Sequence, residues 1–176
     1  MSTARVLVPL THGVDVVQAL TAVDLLRRAG VHVVTASVAS TNPIIGARRI
    51  RVLADLDLTD AIAEWSDDFD LILLPGGDAP GLLESAELLA LVAAIRSGTG
   101  RTRAFVAGGR SAAVLVARAA PVREPPSTLA GLLIGRNGVA LEHVQTPNAE
   151  APLGVTGARL AEQALMLLGL SAAPTT

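Results

Sequence analysis

The sequence predicts an α/β domain: one open, mostly parallel sheet with helices on both faces, a three-layer sandwich. Three observations predict it. Short apolar runs of strand length alternate with stretches of helical spacing along most of the chain. Three of those runs end in glycine turns, Thr11-His12-Gly13, Pro75-Gly76-Gly77 and Ala107-Gly108-Gly109, where strands of open α/β sheets hand over to helices. A length of 176 residues, 51% apolar and 17% charged, fills one core and leaves no room for two comfortable ones, so residues 1–176 read as a single domain.

Val6-Leu7-Val8-Pro9-Leu10 is an apolar run that suits a strand covered on both faces. From Asp15 to Ala29, apolar residues at Val16, Val17, Leu20, Val23, Leu25 and Leu26 fall near helical spacing. Arg27, Arg28 and Gly30 then supply a basic last turn and a stop. Residues 31–38 read as the next strand, which completes a βαβ unit within forty residues. Residues 42–60 read as loops with a candidate hairpin, Ile50 to Leu53 being one short strand. Thr59 or Asp60 then caps a short helix to Trp65. Leu71-Ile72-Leu73-Leu74 is a buried strand that stops at Pro75-Gly76-Gly77. One helix is predicted over 79–97, a strand over 103–107 and a helix over 111–119. Residues 121–128 form a proline-rich loop. Two late strands are predicted at 132–134 and 139–144, and a last helix over 155–168.

Composition removes several classes of function. A formal net charge of −2 gives no electrostatic reason to bind nucleic acid or an anionic membrane. Trp65, Phe69 and Phe105 are the whole aromatic set, too few for a stacking platform. The chain has no cysteine, which removes disulfides, thiolate metal sites and every cysteine nucleophile. Its three histidines, His12, His32 and His143, have no local ligand spacing, so neither metal nor cofactor is expected. The first apolar stretch fits neither a signal peptide nor a membrane helix, and a cytoplasmic location is the plain expectation.

Phe69-Asp70-Leu71-Ile72-Leu73-Leu74-Pro75-Gly76-Gly77-Asp78 resembles the corresponding segment of the ThiJ/PfpI family, which includes the parkinsonism-associated protein deglycase. Val23-Asp24-Leu25-Leu26-Arg27-Arg28-Ala29-Gly30 is similar to that family's first helix. Residues 103–114 are similar to its strand-turn-helix nucleophile elbow. The resemblance runs from residue 4 to near 118 and weakens beyond Pro121. It implies a flavodoxin-like fold of the class I glutamine amidotransferase type, and a homodimer. In the family a cysteine at the elbow attacks carbonyl-type carbons, a glutamate on the first helix bonds the thiol, and backbone amides form an oxyanion hole. Gapless alignment places Ala107 at the cysteine position and Gln18 at the glutamate position. A methyl group cannot attack and an amide cannot titrate usefully, which argues against deglycase, glyoxalase or peptidase chemistry.

What remains is backbone and a few polar side chains. Amides of Gly77 and Gly108 pointing into one pocket would stabilise developing negative charge; equally, these glycines serve tight turns. Asp15 is a candidate base or a helix cap. Gln18 is a candidate to orient a substrate carbonyl. His12 and His143 are candidate acids or bases, against plain surface roles. Asp78 is expected to cap the following helix or touch substrate, and Arg110 to reach an anionic substrate or a dimer neighbour. Ala107 would line the pocket. Ser111 echoes a serine elbow but sits one turn into the helix, so capping or packing suits it better. Two functions fit this set. One is a cofactor-free lyase, hydratase or isomerase acting on a small, hydrophobic carbonyl compound, possible in specialised metabolism. The other is a non-catalytic small-molecule-binding or partner protein. A pocket lined by His12, Gln18 and His143 favours the enzyme, and a pocket filled by leucines favours the scaffold.

Overall fold

The computed structural model describes residues 3–40, 42–65, 68–99, 101–102, 104–109, 114–115, 118–119, 132–136, 142–144 and 157–170. A seven-stranded sheet carries the molecule. Its strands are β1 (Arg5–Leu10), β2 (His32–Ser37), β5 (Leu56–Asp57), β6 (Leu71–Leu74), β7 (Ala104–Gly108), β8 (Leu132–Arg136) and β9 (Glu142–Val144), in the order β5-β2-β1-β6-β7-β8-β9. The pairs from β5 to β7 are parallel, whereas β8 and β9 form an antiparallel edge. Strands β3 (Ile44–Ile45) and β4 (Arg51–Val52) make a separate hairpin.

The central strands are apolar at nearly every position because helices cover both sheet faces. Val6, Leu7 and Val8 of β1 and all four residues of β6 have no exposed surface. From β1 the chain moves outward to β2 and β5, then returns to place β6 on the other side of β1. Right-handed crossovers in opposite directions put α1 (Val16–Arg28) on one face, and α2 (Leu58–Trp65) and α4 (Ala86–Ser97) on the other. The last helix, α5 (Gly157–Leu168), packs on α1. The turns after β1 and β6 therefore meet at the switch point of the sheet, where ligands of such folds bind.

Most elements lie where the apolar periods put them, but β5 joins the main sheet from residues expected to be loops and a hairpin, and α2 begins at Leu58, so Thr59 and Asp60 lie inside it rather than capping it. The helix expected over 79–97 is two, α3 (Gly81–Glu84) and α4, separated by Ser85 in an extended conformation. Ser85 Oγ accepts from Leu88 N at 3.2 Å, so the hydroxyl caps a new helix and ends the old one. Gly98, at φ 72°, closes α4 in the left-handed conformation that glycine tolerates. Val114–Leu115 and Arg118–Ala119 are helical, within the helix expected over 111–119. The proline-rich segment 121–128 lies outside the described residues.

Candidate functional site

Three backbone turns interlock at the switch point, and glycine is what lets them touch. Val14 and Gly77 form an isolated antiparallel bridge, with Asp15 N donating to Gly76 O at 2.8 Å. Gly77 has φ 112°, and a Cβ there would lie 2.5 Å from Asp15 N. A Cβ on Gly76 would land on the Gly108 carbonyl oxygen. Gly109, at φ 109°, lies so close that its Cβ would come within 2.7 Å of Gly76 Cα.

Gln18 ties these turns to α1. It is 6% exposed, and its Oε1 accepts from Gly76 N at 2.5 Å. Its Nε2 would lie 3.3 Å from a Cβ placed on Gly108. The residue whose side-chain direction meets Gln18 is Gly108, not Ala107. Ala107 is the neighbouring strand position, pairs with Leu74 and Leu133, and is 1% exposed. Successive strand residues point to opposite faces, so a one-residue slip moves a side chain from the site into the core. The space a side chain would occupy at Gly108 also meets Leu160 of α5, whose Cδ2 would lie 2.8 Å from that Cβ. Leu160 is fully buried. The sequence shows it only as one apolar residue in helical spacing, and nothing in that spacing connects it with residue 108.

The other expected residues have definite positions. Asp15 is the N-cap of α1: its Oδ1 accepts from Gln18 N at 3.1 Å, and Arg48 Nη1 lies 3.9 Å away. The cap satisfies an otherwise unpaired helix amide and complements the dipole. Asp15 Oδ2 has no partner among the described residues. His12 is exposed and turned toward the hairpin, where its Nδ1 accepts from Ile45 N at 3.0 Å. A ring nitrogen accepting from an amide is unprotonated, so in this arrangement His12 fastens the hairpin to the β1 turn. Asp78 is exposed and does not cap α3, which starts after Pro80 with no side-chain cap bond. His143 is the central residue of β9, opposite Leu133, and its side chain lies outside the described residues. Arg110 and Ser111 also lie outside them. His32, expected to pack or face solvent, is exposed at the start of β2.

The structure thus brings Asp15, Gln18, Gly77 and Gly108 together. At Gly108 they offer an amide and an alkyl group, with no nucleophile among the described residues. No group of three or more His, Asp or Glu among those residues is arranged to hold a metal. No described helix is long and apolar enough to cross a membrane.

Comparison with known proteins accounts for this layout. Protein DJ-1 homolog A of Arabidopsis thaliana is 41% identical over 75 residues, which are 43% of this chain and 18% of that protein. The Parkinson disease protein 7 homolog of Danio rerio is 35% identical over 77 residues, 44% of this chain and 40% of the relative. The chain therefore spans less than half the length of these curated relatives. Among solved structures, Drosophila melanogaster DJ-1beta is similar with a TM-score of 0.58 and 28% identity, covering 67% of this chain and 61% of that one. Schizosaccharomyces pombe DJ-1, with a TM-score of 0.55 and 14% identity over 69% of this chain and 65% of that one, shares the fold. Residues 4–120, well over half of the chain, match the DJ-1/PfpI family. With the glycine turns and the parallel sheet in agreement, the chain belongs to the DJ-1/PfpI family.

Proposed function

We propose that this chain is a non-catalytic DJ-1/PfpI family member, a binding or partner protein whose elbow has been absorbed into the core. One observation carries this reading: the side-chain space at Gly108 is bounded by the Gln18 amide and the buried Leu160. Covalent catalysis needs an activated nucleophile in that space, and acid–base catalysis needs a group that titrates there. Neither an amide nor an isobutyl group supplies one. A leucine in that space supports the scaffold reading over the enzyme. A homodimer through the outer face of α1 is part of the same reading, because Val17 and Leu20 are 54% and 42% exposed there.

A specific observation supports a second reading, a cofactor-free lyase, hydratase or isomerase. Asp15 Oδ2 is unpartnered among the described residues, and Asp15 N donates to Gly76 O within the same turns. A carboxylate so placed is a candidate base for a small carbonyl substrate.

The two readings part in one experiment. Wild type, Asp15→Asn and Leu160→Ala are screened for turnover and thermal stabilisation with small enones, quinones, lactones and keto acids. On the binding-protein reading, wild type turns over none of them, and Leu160→Ala gains stabilisation by compounds that wild type ignores. Turnover by wild type that is lost in Asp15→Asn overturns that reading in favour of the enzyme.

A further inference from the structure

We propose that His32 is an acid-sensitive latch: unprotonated, it holds Arg5 across the ring of Trp65, and a proton on it releases that arginine. The latch stands where the sheet begins, at the opposite end from the glycine turns. It joins β1, β2 and the last residue of α2.

Backbone pairing fixes its parts. Arg5 and His32 are direct partners in the parallel register of β1 and β2, and His32 N donates to Ala4 O at 2.9 Å. On the other side, Arg5 N donates to Asp70 Oδ2 at 2.8 Å and Asp70 N to Arg5 O at 2.9 Å. With both strands held, any change in this pair falls on the side chains. Arg5 Nε donates to His32 Nδ1 at 3.2 Å, while Arg5 Cζ lies 5.5 Å from the centroid of Trp65. The His32 ring meets that indole edge-on at 6.1 Å, and the buried Phe69 meets it in the same manner at 6.4 Å.

An arginine nitrogen only donates, so the ring nitrogen facing it must offer a lone pair. A proton on that nitrogen takes the same lone pair and sets an imidazolium against a guanidinium. His32 is exposed, so water delivers the proton without opening the fold. The surrounding charges give each cation another partner. Asp68 Oδ2 already lies 3.4 Å from Arg5 Nη1, and Asp55 and Glu64 line the groove that His32 borders. The cations in the last turn of α1 are occupied: Arg27 Nη2 lies 2.9 Å from Asp55 Oδ2, and Arg28 Nε 3.0 Å from Asp24 Oδ2. Protonation therefore exchanges partners. Arg5 leaves the ring nitrogen for Asp68 and solvent, and the imidazolium is left to the groove carboxylates. Trp65 loses its cation, and with it one tie between the end of α2 and the sheet.

Nitrogen chemical shifts of the full chain, followed from about pH 8 to pH 5, test the latch. His32 Nδ1 is expected to carry the shift of a bare imidazole nitrogen at the alkaline end. On acidification His32 Nδ1, Arg5 Nε and the emission of Trp65, the one tryptophan of the chain, are expected to change with a single shared midpoint. His32→Asn, whose carbonyl oxygen accepts from Arg5 whatever the pH, is expected to abolish the changes at Arg5 and Trp65. The proposal is overturned if His32 stays unprotonated throughout, or if its Nδ1 already carries the proton at the alkaline end. It is equally overturned if His32 titrates while Arg5 Nε stays still, or if Trp65 keeps its emission change in His32→Asn.

Discussion

Single residues differ in what they tolerate, and two glycines at opposite ends of the sheet make the contrast measurable. Gly30, at φ 80°, has nothing within 4 Å of where a Cβ would stand, so Gly30→Ala carries only the left-handed backbone cost of about 1 kcal/mol. Gly77, at φ 112°, would push its Cβ onto the Gly13–Asp15 backbone, and Gly77→Ala should cost roughly 3 kcal/mol or more. Urea unfolding of both variants checks the order; equal losses would mean that the interlocked turns relax freely. Asp15→Ala removes the N-cap of α1 and should cost about 1 kcal/mol by the same measurement. The sequence made Gln18 and the three glycine turns legible, because turn chemistry is local. It did not make the partner of Gln18 legible. A one-residue choice between Ala107 and Gly108 depends on which face of β7 meets α1, and strand pairing decides that.

Among the elements, β5 is the smallest strand of the main sheet and is fixed to β2 largely by one carboxylate. Partial burial pushes the Asp55 pKa up, but hydrogen bonds from Thr35 and the Arg27 charge outweigh it and hold the carboxyl below its usual value of 3.8. A depressed folded-state pKa stabilises above the unfolded value, and that stabilisation fades as pH falls below 3.8 toward the folded value. Much of Asp55 is in solvent, so Asp55→Asn should cost only about 1 kcal/mol near pH 7. The gap between wild type and variant in urea midpoint should narrow as pH falls below 4. A gap that stays constant down to pH 3 would show that charge plays no part in fixing β5. Strands and helices with strong apolar periods were legible at this scale. The division of 79–97 into α3 and α4 was less so, since Ser85 is compatible with a helix until its hydroxyl is seen capping Leu88. That α5 covers α1 was not legible at all, because packing between elements far apart in sequence leaves no local pattern.

At the largest scale, an apolar face is left open among the described residues. Val17 and Leu20 on α1 and Ile45 and Ile50 of the hairpin region are each more than 40% exposed. Bonds from Gly13 N to Ile45 O and from Ala47 N to Val14 O, at 2.9 and 3.0 Å, hold that region against the start of α1. Wild type is expected to sediment as a dimer and Val17→Glu/Leu20→Glu as a monomer. A wild-type monomer at micromolar concentration would refute the assignment. The strand order has a further consequence, for how the chain reaches this shape. Strands β1 and β2 can close early, within the first forty residues, whereas Val6 must wait for Leu71, and that strand in turn for Ala104. Such distant pairings make loop-closure entropy the main barrier, so folding should be slow for a protein of this size. A chain still emerging from the ribosome would hold its first strand with one flank bare until more than sixty further residues had been made.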